Sequence, residues 1–236
     1  MKLLLLGATG RTGRYVLSEA LKRGHTVHAL VRDKAKLGAA SDQLKLFEGS
    51  PLEQEALQQA MQGCDTVIST LNISRKSDFP WAKLVSPKDL LSRAMQHIVA
   101  LAPGAGVQHV LTMSAFGVHE KKENLPFLFR LLLRTSNIGV TYRDHERQED
   151  ILRASGLDWT IVRPVGLTNS EEPQQVLALT EAGGDGPRLA RTVSRLAVAR
   201  FLMDAAEKGN YVGKAVAISE KVVGSEGLKI LRSEGH

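Results

Sequence analysis

Residues 1–16 read MKLLLLGATGRTGRYV, and how this stretch is read decides the fold. A Lys followed by four leucines fits either a secretory signal peptide or a short buried strand, Lys2 to Leu6, running into a glycine-punctuated loop. A signal peptide needs an apolar region of about 7–15 residues and then small residues at a cleavage site. Here the apolar run breaks at Gly7, and Arg11 and Arg14 follow with no such site. Beyond Gly13, Val16, Leu17, Ala20 and Leu21 recur at helical spacing. Lys22-Arg23-Gly24 then supplies the basic last turn and glycine stop of a helix. The opening reads strand, loop, helix.

Working outward, β-branched and apolar residues predict strands at Thr26 to Val31 and Leu44 to Phe47. Glu53 to Met61 has a helical pattern, and Thr66 to Thr70 is a fourth strand. Pro87 to Leu101 reads as a helix with Pro in its first turn, where a missing N–H costs nothing. Strands follow at His109 to Met113, Trp159 to Val162 and Ala215 to Ile218, with helices from about Thr141 to Ala154 and from Arg195 to Ala206. This alternation predicts the α/β class: a doubly wound parallel sheet covered on both faces. The expected organisation is one domain over residues 1–223, a small loop-built substrate region, and a flexible tail at 224–236. Three segments interrupt the rhythm after strand ends: Asn72 to Ser86, Phe116 to Ile138 containing LPFLFRLLLR, and Leu167 to Thr192 with a GGDGP turn between two short extended pieces. Ligands of open α/β sheets bind at that edge.

Composition narrows the classes further. A chain of 236 residues, 43% hydrophobic and 24% charged, is ordinary for a globular protein with a sizeable core. No apolar stretch approaches the roughly 18–20 residues that span a bilayer. The single cysteine, Cys64, excludes an intrachain disulfide and fits a reducing, cytoplasmic setting. The net charge is +6, yet the basic residues are scattered among acids and form no block, which argues against nucleic acid. Positive charge around a phosphate-bearing ligand accounts for the balance. There is no HExxH, no CxxC pair, no carboxylate cluster and no GxSxG, so neither a metal site nor a nucleophile elbow is expected.

The glycines of the opening, Gly7, Gly10 and Gly13, are spaced as in dinucleotide-binding loops. The first permits the tight turn, the second lets backbone approach a pyrophosphate, and the third lets the helix pack close to the sheet. The helix N-terminus presents unpaired N–H groups and a positive dipole to the phosphates. Thr9 and Thr12 add hydroxyl donors. Cofactor choice is read at the end of the second strand, where an acid favours NAD and an arginine favours NADP. The chain has Val31-Arg32-Asp33 there. Arg32 stands at the strand tip and Arg11 in the loop faces the same phosphate, while Asp33 fits a cap for the following turn. NADP(H) is preferred, with NAD(H) possible.

GATGRTG, ALKRGHTVHALVRD, the MSAFG of Met113 to Gly117 and ASGLDWTIVRPVGL of Ala154 to Leu167 together resemble the atypical short-chain dehydrogenase/reductases. The chain is most similar to their NAD(P)H-binding, NmrA-like branch, which includes flavin reductases of the biliverdin-IXβ reductase type. The resemblance covers roughly residues 2 to 220. It implies a seven-stranded Rossmann-like sheet with an open pocket over the nicotinamide. It places Thr9 to Gly13 on the pyrophosphate, Arg32 on the 2′-phosphate, and Thr70, Leu71 and Asn72 along the ribose. Ser114, Ala115 and Phe116 then approach the nicotinamide, and Pro164, Val165, Gly166 and Leu167 cover the carboxamide. Ser50 stands after the third strand, where the branch commonly has Gly-Asp.

One departure bears on chemistry. Members with the full catalytic set carry Tyr-x-x-x-Lys, whereas Tyr142 is followed four residues later by Glu146. The lysine helps a tyrosine of ordinary pKa about 10 to exchange protons near neutrality, and a glutamate opposes that. Three catalytic candidates remain. Ser114, at the tip of the fifth strand, is positioned to polarise a carbonyl. Tyr142 and His145, one helical turn apart, are the titratable ones. An acceptor that takes its proton from water suits this reduced set. The expectation is an NADPH-dependent reductase of a flat conjugated small molecule such as a flavin or quinone, monomeric or weakly dimeric. The alternatives are a non-catalytic redox sensor and, last, nucleotide-sugar epimerase or dehydratase chemistry. LPFLFRLLLR reads as a lid on the sheet edge or as an amphipathic patch that docks on a partner or membrane surface.

Overall fold

The computed structural model describes residues 1–120, 126–172, 175–180 and 189–221. The expected GGDGP turn and the tail at 224–236 lie outside them. Four consecutive leucines form β1 (Lys2–Leu6) in the middle of an eight-stranded sheet. Leu3 and Leu5 point into a core beneath α1 (Gly13–Lys22) and α6 (Arg195–Lys208). Leu4 and Leu6 point into a second core, beneath α2 (Gln54–Met61), α3 (Leu90–Ala105) and α5 (Asn137–Arg153). Period-two alternation therefore buries every leucine of the run, and each contributes roughly 2 kcal/mol.

The sheet adds β2 (Thr26–Val31), β3 (Leu44–Glu48), β4 (Thr66–Ser69), β5 (His109–Met113), β6 (Asp158–Pro164), β8 (Val176–Thr180) and β10 (Lys214–Glu220). Their order is β3-β2-β1-β4-β5-β6-β10-β8. The first seven run parallel, as the resemblance implies, and β8 adds an eighth, antiparallel edge against β10. β7 (Gly166–Thr168) and β9 (Thr192–Ser194) form a small parallel pair of their own. The order reverses direction between β1 and β4, which opens a crevice at their C-terminal ends.

Two helix boundaries correct the sequence reading. α3 starts at Leu90, so Pro87 precedes the helix and Pro103 sits in its last turn. The reason is a cap from another element. Asp89, the residue at the N-cap, makes no side-chain capping bond, and instead the buried Asp144 of α5 accepts from Leu91 N (2.8 Å) and Ser92 Oγ (2.6 Å). The segment before α5 contains a further helix, α4 (Phe127–Thr135), which packs on α5. α4 and α5 meet so closely that a Cβ on Gly139 would overlap the Leu133 carbonyl. Cys64 lies within 3.5 Å of His28 Nδ1 in the second core, and burial pushes its thiol up to about 11.

Candidate functional site

The crevice is built first by glycine. Gly7 leaves β1 at φ 84°, and a Cβ there would lie 2.8 Å from Thr70 Oγ1. Thr70 closes the floor, its amide and its hydroxyl both donating to the Leu6 carbonyl at 3.0 Å. Gly10 N turns back to the Gly7 carbonyl (2.8 Å), and a Cβ on Gly13 would lie 2.0 Å from that same oxygen. No other residue type fits at 13 without opening the loop. α1 begins with Thr12 at its N-cap and no side-chain cap. Among the described residues nothing accepts from the amides of Thr9, Arg11, Thr12 or Gly13. A row of free donors on a helix N-terminus fits a diphosphate.

At the tip of β2, Arg32 is exposed and makes no ion pair among the described residues. Asp33 accepts from Ala35 N (3.0 Å) and caps the short 3-10 turn over Lys34–Leu37, as its position suggested. Arg11 is engaged differently from expectation: its guanidinium pairs with Asp78 at 3.0 and 3.2 Å, bridging the glycine loop to the segment after β4. The hydrogen bond from Arg11 holds the Asp78 carboxyl below its ordinary range. Ser50 is tied into its own turn, its amide donating to Glu53 Oε2 and its hydroxyl accepting from Leu52 N. Leu71 is half-buried, and Asn72 is exposed with its side chain on Ile73 N.

The far wall comes from β5 and β6. Ser114 N donates to the Val162 carbonyl (2.7 Å), and Phe116 N donates to the Pro164 carbonyl (2.9 Å), so the two strand tips are stitched together. Val165 N bonds Ile218 O, and Gly166 N bonds Arg191 O. Leu167 belongs to β7 and is half-buried. The stretch is held from below by Arg195, a buried side chain that sequence reading passed over as a mere helix start. It donates to Thr168 O (3.1 Å) and Asn169 Oδ1 (2.6 Å).

Of the catalytic candidates, Ser114 stands at the β5 tip, Tyr142 reaches Phe116 two residues on, and His145 lies on α5. Thr112 pairs in register with Ile161 of the second core, so Thr112 and Ser114 share the face that looks toward α5. Ser114 is buried and its hydroxyl finds no hydrogen-bond partner among the described residues. Thr112 Oγ1, His145 Nδ1 and Gln148 Nε2 are orphaned in the same way. Buried polar groups are nearly always satisfied, so four unpaired ones on a strand face and the helix above it are an expensive local exception.

Tyr142 is half-buried. Its hydroxyl donates to the Phe116 carbonyl (3.0 Å), and Phe129 packs edge-on against its ring. Burial pushes it up to about 12, so the barrier to phenolate is desolvation and not Glu146. His145 is buried too, which drives it down to about 4 and keeps it neutral near pH 7. One turn on, Glu149 is fully buried against Arg163 of β6, which donates from Nε (3.1 Å) and a terminal nitrogen. Arg153 and His119 approach the same carboxylate at 3.7 and 3.9 Å. His119 also reaches Asp150 (3.2 Å) from a left-handed backbone, φ 59°. The segment after β5 is thereby tied to α5 at Phe116 and at His119.

Comparison with known proteins agrees with this geometry. The NAD(P)H-binding family matches residues 7–208. An uncharacterized sugar epimerase of Bacillus subtilis, YhfK, is 33% identical over 175 residues, covering 72% of this chain and 73% of that protein. The chain spans 38% to 46% of the length of the next curated relatives it matches. A short-chain dehydrogenase/reductase of Veillonella parvula, solved in complex with NADP, superposes with a TM-score of 0.74 at 18% identity, over 93% of this chain and 94% of that one. ChuY, an anaerobilin reductase of Escherichia coli O157:H7, also gives 0.74, at 19% identity over 96% and 100% of the two chains. The chain belongs to the NAD(P)H-binding family.

Proposed function

We propose that the protein is an NADPH-dependent reductase of a flat, conjugated acceptor: a flavin, a quinone or a similar carbonyl compound. The observation that carries this reading is the Ser114 hydroxyl, buried and without a partner among the described residues at the tip of β5, while burial makes Tyr142 a weaker acid and keeps His145 neutral near pH 7. A conjugated acceptor needs no such donor, because it draws its proton from water once hydride has arrived. Positioning and one polarising hydroxyl are then sufficient. That ChuY, a protein of the same fold, is an anaerobilin reductase supports the substrate class.

In this reading the free amides within Thr9 to Gly13, those of Thr9, Arg11, Thr12 and Gly13, bind the pyrophosphate. Thr70, Leu71 and Asn72 line the ribose. Ala115 and Phe116 flank the nicotinamide, and Pro164 to Leu167 cover it. The bound dihydronicotinamide supplies the hydride. Preference for NADPH rests on Arg32, whose guanidinium has no partner among the described residues, and on Asp33, which is already spent on its turn. Arg11 reaches a 2′-phosphate only by releasing Asp78. Epimerase chemistry is disfavoured, because withdrawing a proton from a sugar hydroxyl needs a base that works near neutrality, and Tyr142 at about 12 is not one.

The test is steady-state NADPH oxidation with FMN, riboflavin and small quinones. Turnover is expected, with kcat/KM falling roughly 100-fold in Ser114→Ala. A second reading, an NADP(H) sensor without turnover, draws on the Tyr142 hydroxyl being committed to the Phe116 carbonyl. Tight NADPH binding with no turnover on any acceptor would select it. Calorimetric titration with NADPH and NADH separates the cofactor question: Arg32→Ala should weaken NADPH about tenfold to hundredfold and leave NADH unchanged. Equal affinities in the native protein would sink the preference.

A further inference from the structure

Eight large hydrophobic side chains are exposed among the described residues, and six of them come from two short segments: Phe79, Trp81 and Val85 after β4, and Phe127, Leu128 and Leu131 of α4. The two segments are joined. Asn137, at the start of α5, donates from its amide to Pro80 O (3.0 Å) and from its side chain to Ala82 O (3.0 Å). The Phe79 and Trp81 rings pack against each other at 5.3 Å. α4 carries FLFRLLLRT and buries none of its nine residues, with Phe127 67% and Leu128 76% exposed. For a helix with six large apolar side chains this is an unfinished burial.

The charge around the patch says what finishes it. Lys76, Lys83 and Lys88 flank the aromatic pair, and Arg130 and Arg134 project from α4. All five are exposed, and none forms an ion pair among the described residues. The single acid within residues 75–88 is Asp78, already held by Arg11. Apolar residues bordered by uncompensated cations match a surface that is anionic outside and hydrocarbon beneath.

We propose that α4 and the Phe79–Val85 segment form a docking face for an anionic phospholipid surface, with Trp81, Phe127 and Leu128 entering the headgroup boundary. The face adjoins the candidate site, since Phe129 of α4 packs on Tyr142, whose hydroxyl holds the Phe116 carbonyl. Docking there would bring the crevice up to the lipid.

Co-sedimentation of the full chain with vesicles of phosphatidylcholine alone, or mixed with phosphatidylglycerol, tests this. Partition onto the anionic vesicles is expected, weakening with salt and falling about tenfold or more in Phe127→Glu/Leu128→Glu and in Arg130→Glu/Arg134→Glu. Both pairs are exposed, so circular dichroism should be unchanged. Brominated lipid chains should quench Trp81 in a Trp159→Phe background. Equal retention on neutral and anionic vesicles, or full binding by both variants, overturns the proposal. So does light scattering that shows a dimer which Phe127→Glu/Leu128→Glu makes monomeric, because a second copy would then cover the face.

Discussion

Among the described residues, two ion networks do opposite jobs. One lies at the solvent rim between α1 and α6. Arg23 reaches Asp204 (2.7 Å) and Glu207 (2.9 Å), His25 reaches Glu207 (2.6 Å), and Arg200 approaches Glu19 (3.6 Å). Beneath it the core is apolar, filled by Val16, Ala20, Val198 and Leu202. The other network lies under α5, where Asp144, bonded to the start of α3, and Glu149, paired with Arg163, take inward positions that a sheet-covering helix normally gives to apolar residues. Charges at a rim trim an interface that hydrophobic burial has already made. Interior charges must be matched by partners, because a charge taken out of water without one is very costly. The α1/α6 side is thus held by shape, and the α5 side by specific pairs.

Breaking the interior pair should have the largest effect. Glu149→Leu strips Arg163 of its carboxylate and should cost roughly 4 kcal/mol in urea unfolding. Glu149→Leu/Arg163→Met should recover most of that loss. A double variant as unstable as the single would show that the pair itself, and not the burial of charge, matters.

Next comes pH. His145 titrates near 4 when folded and near its ordinary 6.5 when unfolded. Between those values the unfolded chain binds the extra proton, so stability falls as pH drops through that window and is flat above it. Between pH 7 and pH 5 the loss from this residue is about 2 kcal/mol. His145→Asn should flatten the corresponding slope, and an unchanged slope would place the titration elsewhere.

Asp144→Asn keeps one acceptor for the start of α3 and should cost about 1 kcal/mol. At the rim, Arg23→Met should cost less than about 1 kcal/mol, and the difference should shrink in high salt. A loss there as large as that of Glu149→Leu would erase the contrast between the two sides.

Legibility in the sequence follows the same division. β1, β2 and β5 keep the limits that the apolar runs imply, since their signal is local and each strand is buried on both faces. The glycine loop was legible for a related reason: its function is carried by backbone, and only glycine permits the approach at Gly13. The start of α3 was not legible, because its cap arrives from Asp144, 53 residues away. Nor was the burial of Tyr142, His145 and Glu149, which reads as a polar, exposed helix face. A hint was present. Residues 141–152, TYRDHERQEDIL, hold too few apolar side chains for a helix that must cover a parallel sheet, and that shortage marks a polar interior.

Cys64 offers a consequence of a different kind. It sits 1% exposed beside His28, and its thiol is pushed up to about 11, so at neutral pH it is almost wholly protonated and shielded. Alkylating reagents can reach it only when the second core opens. The rate at which a thiol probe labels this lone cysteine therefore works as a built-in stopwatch for that opening, free of any introduced reporter.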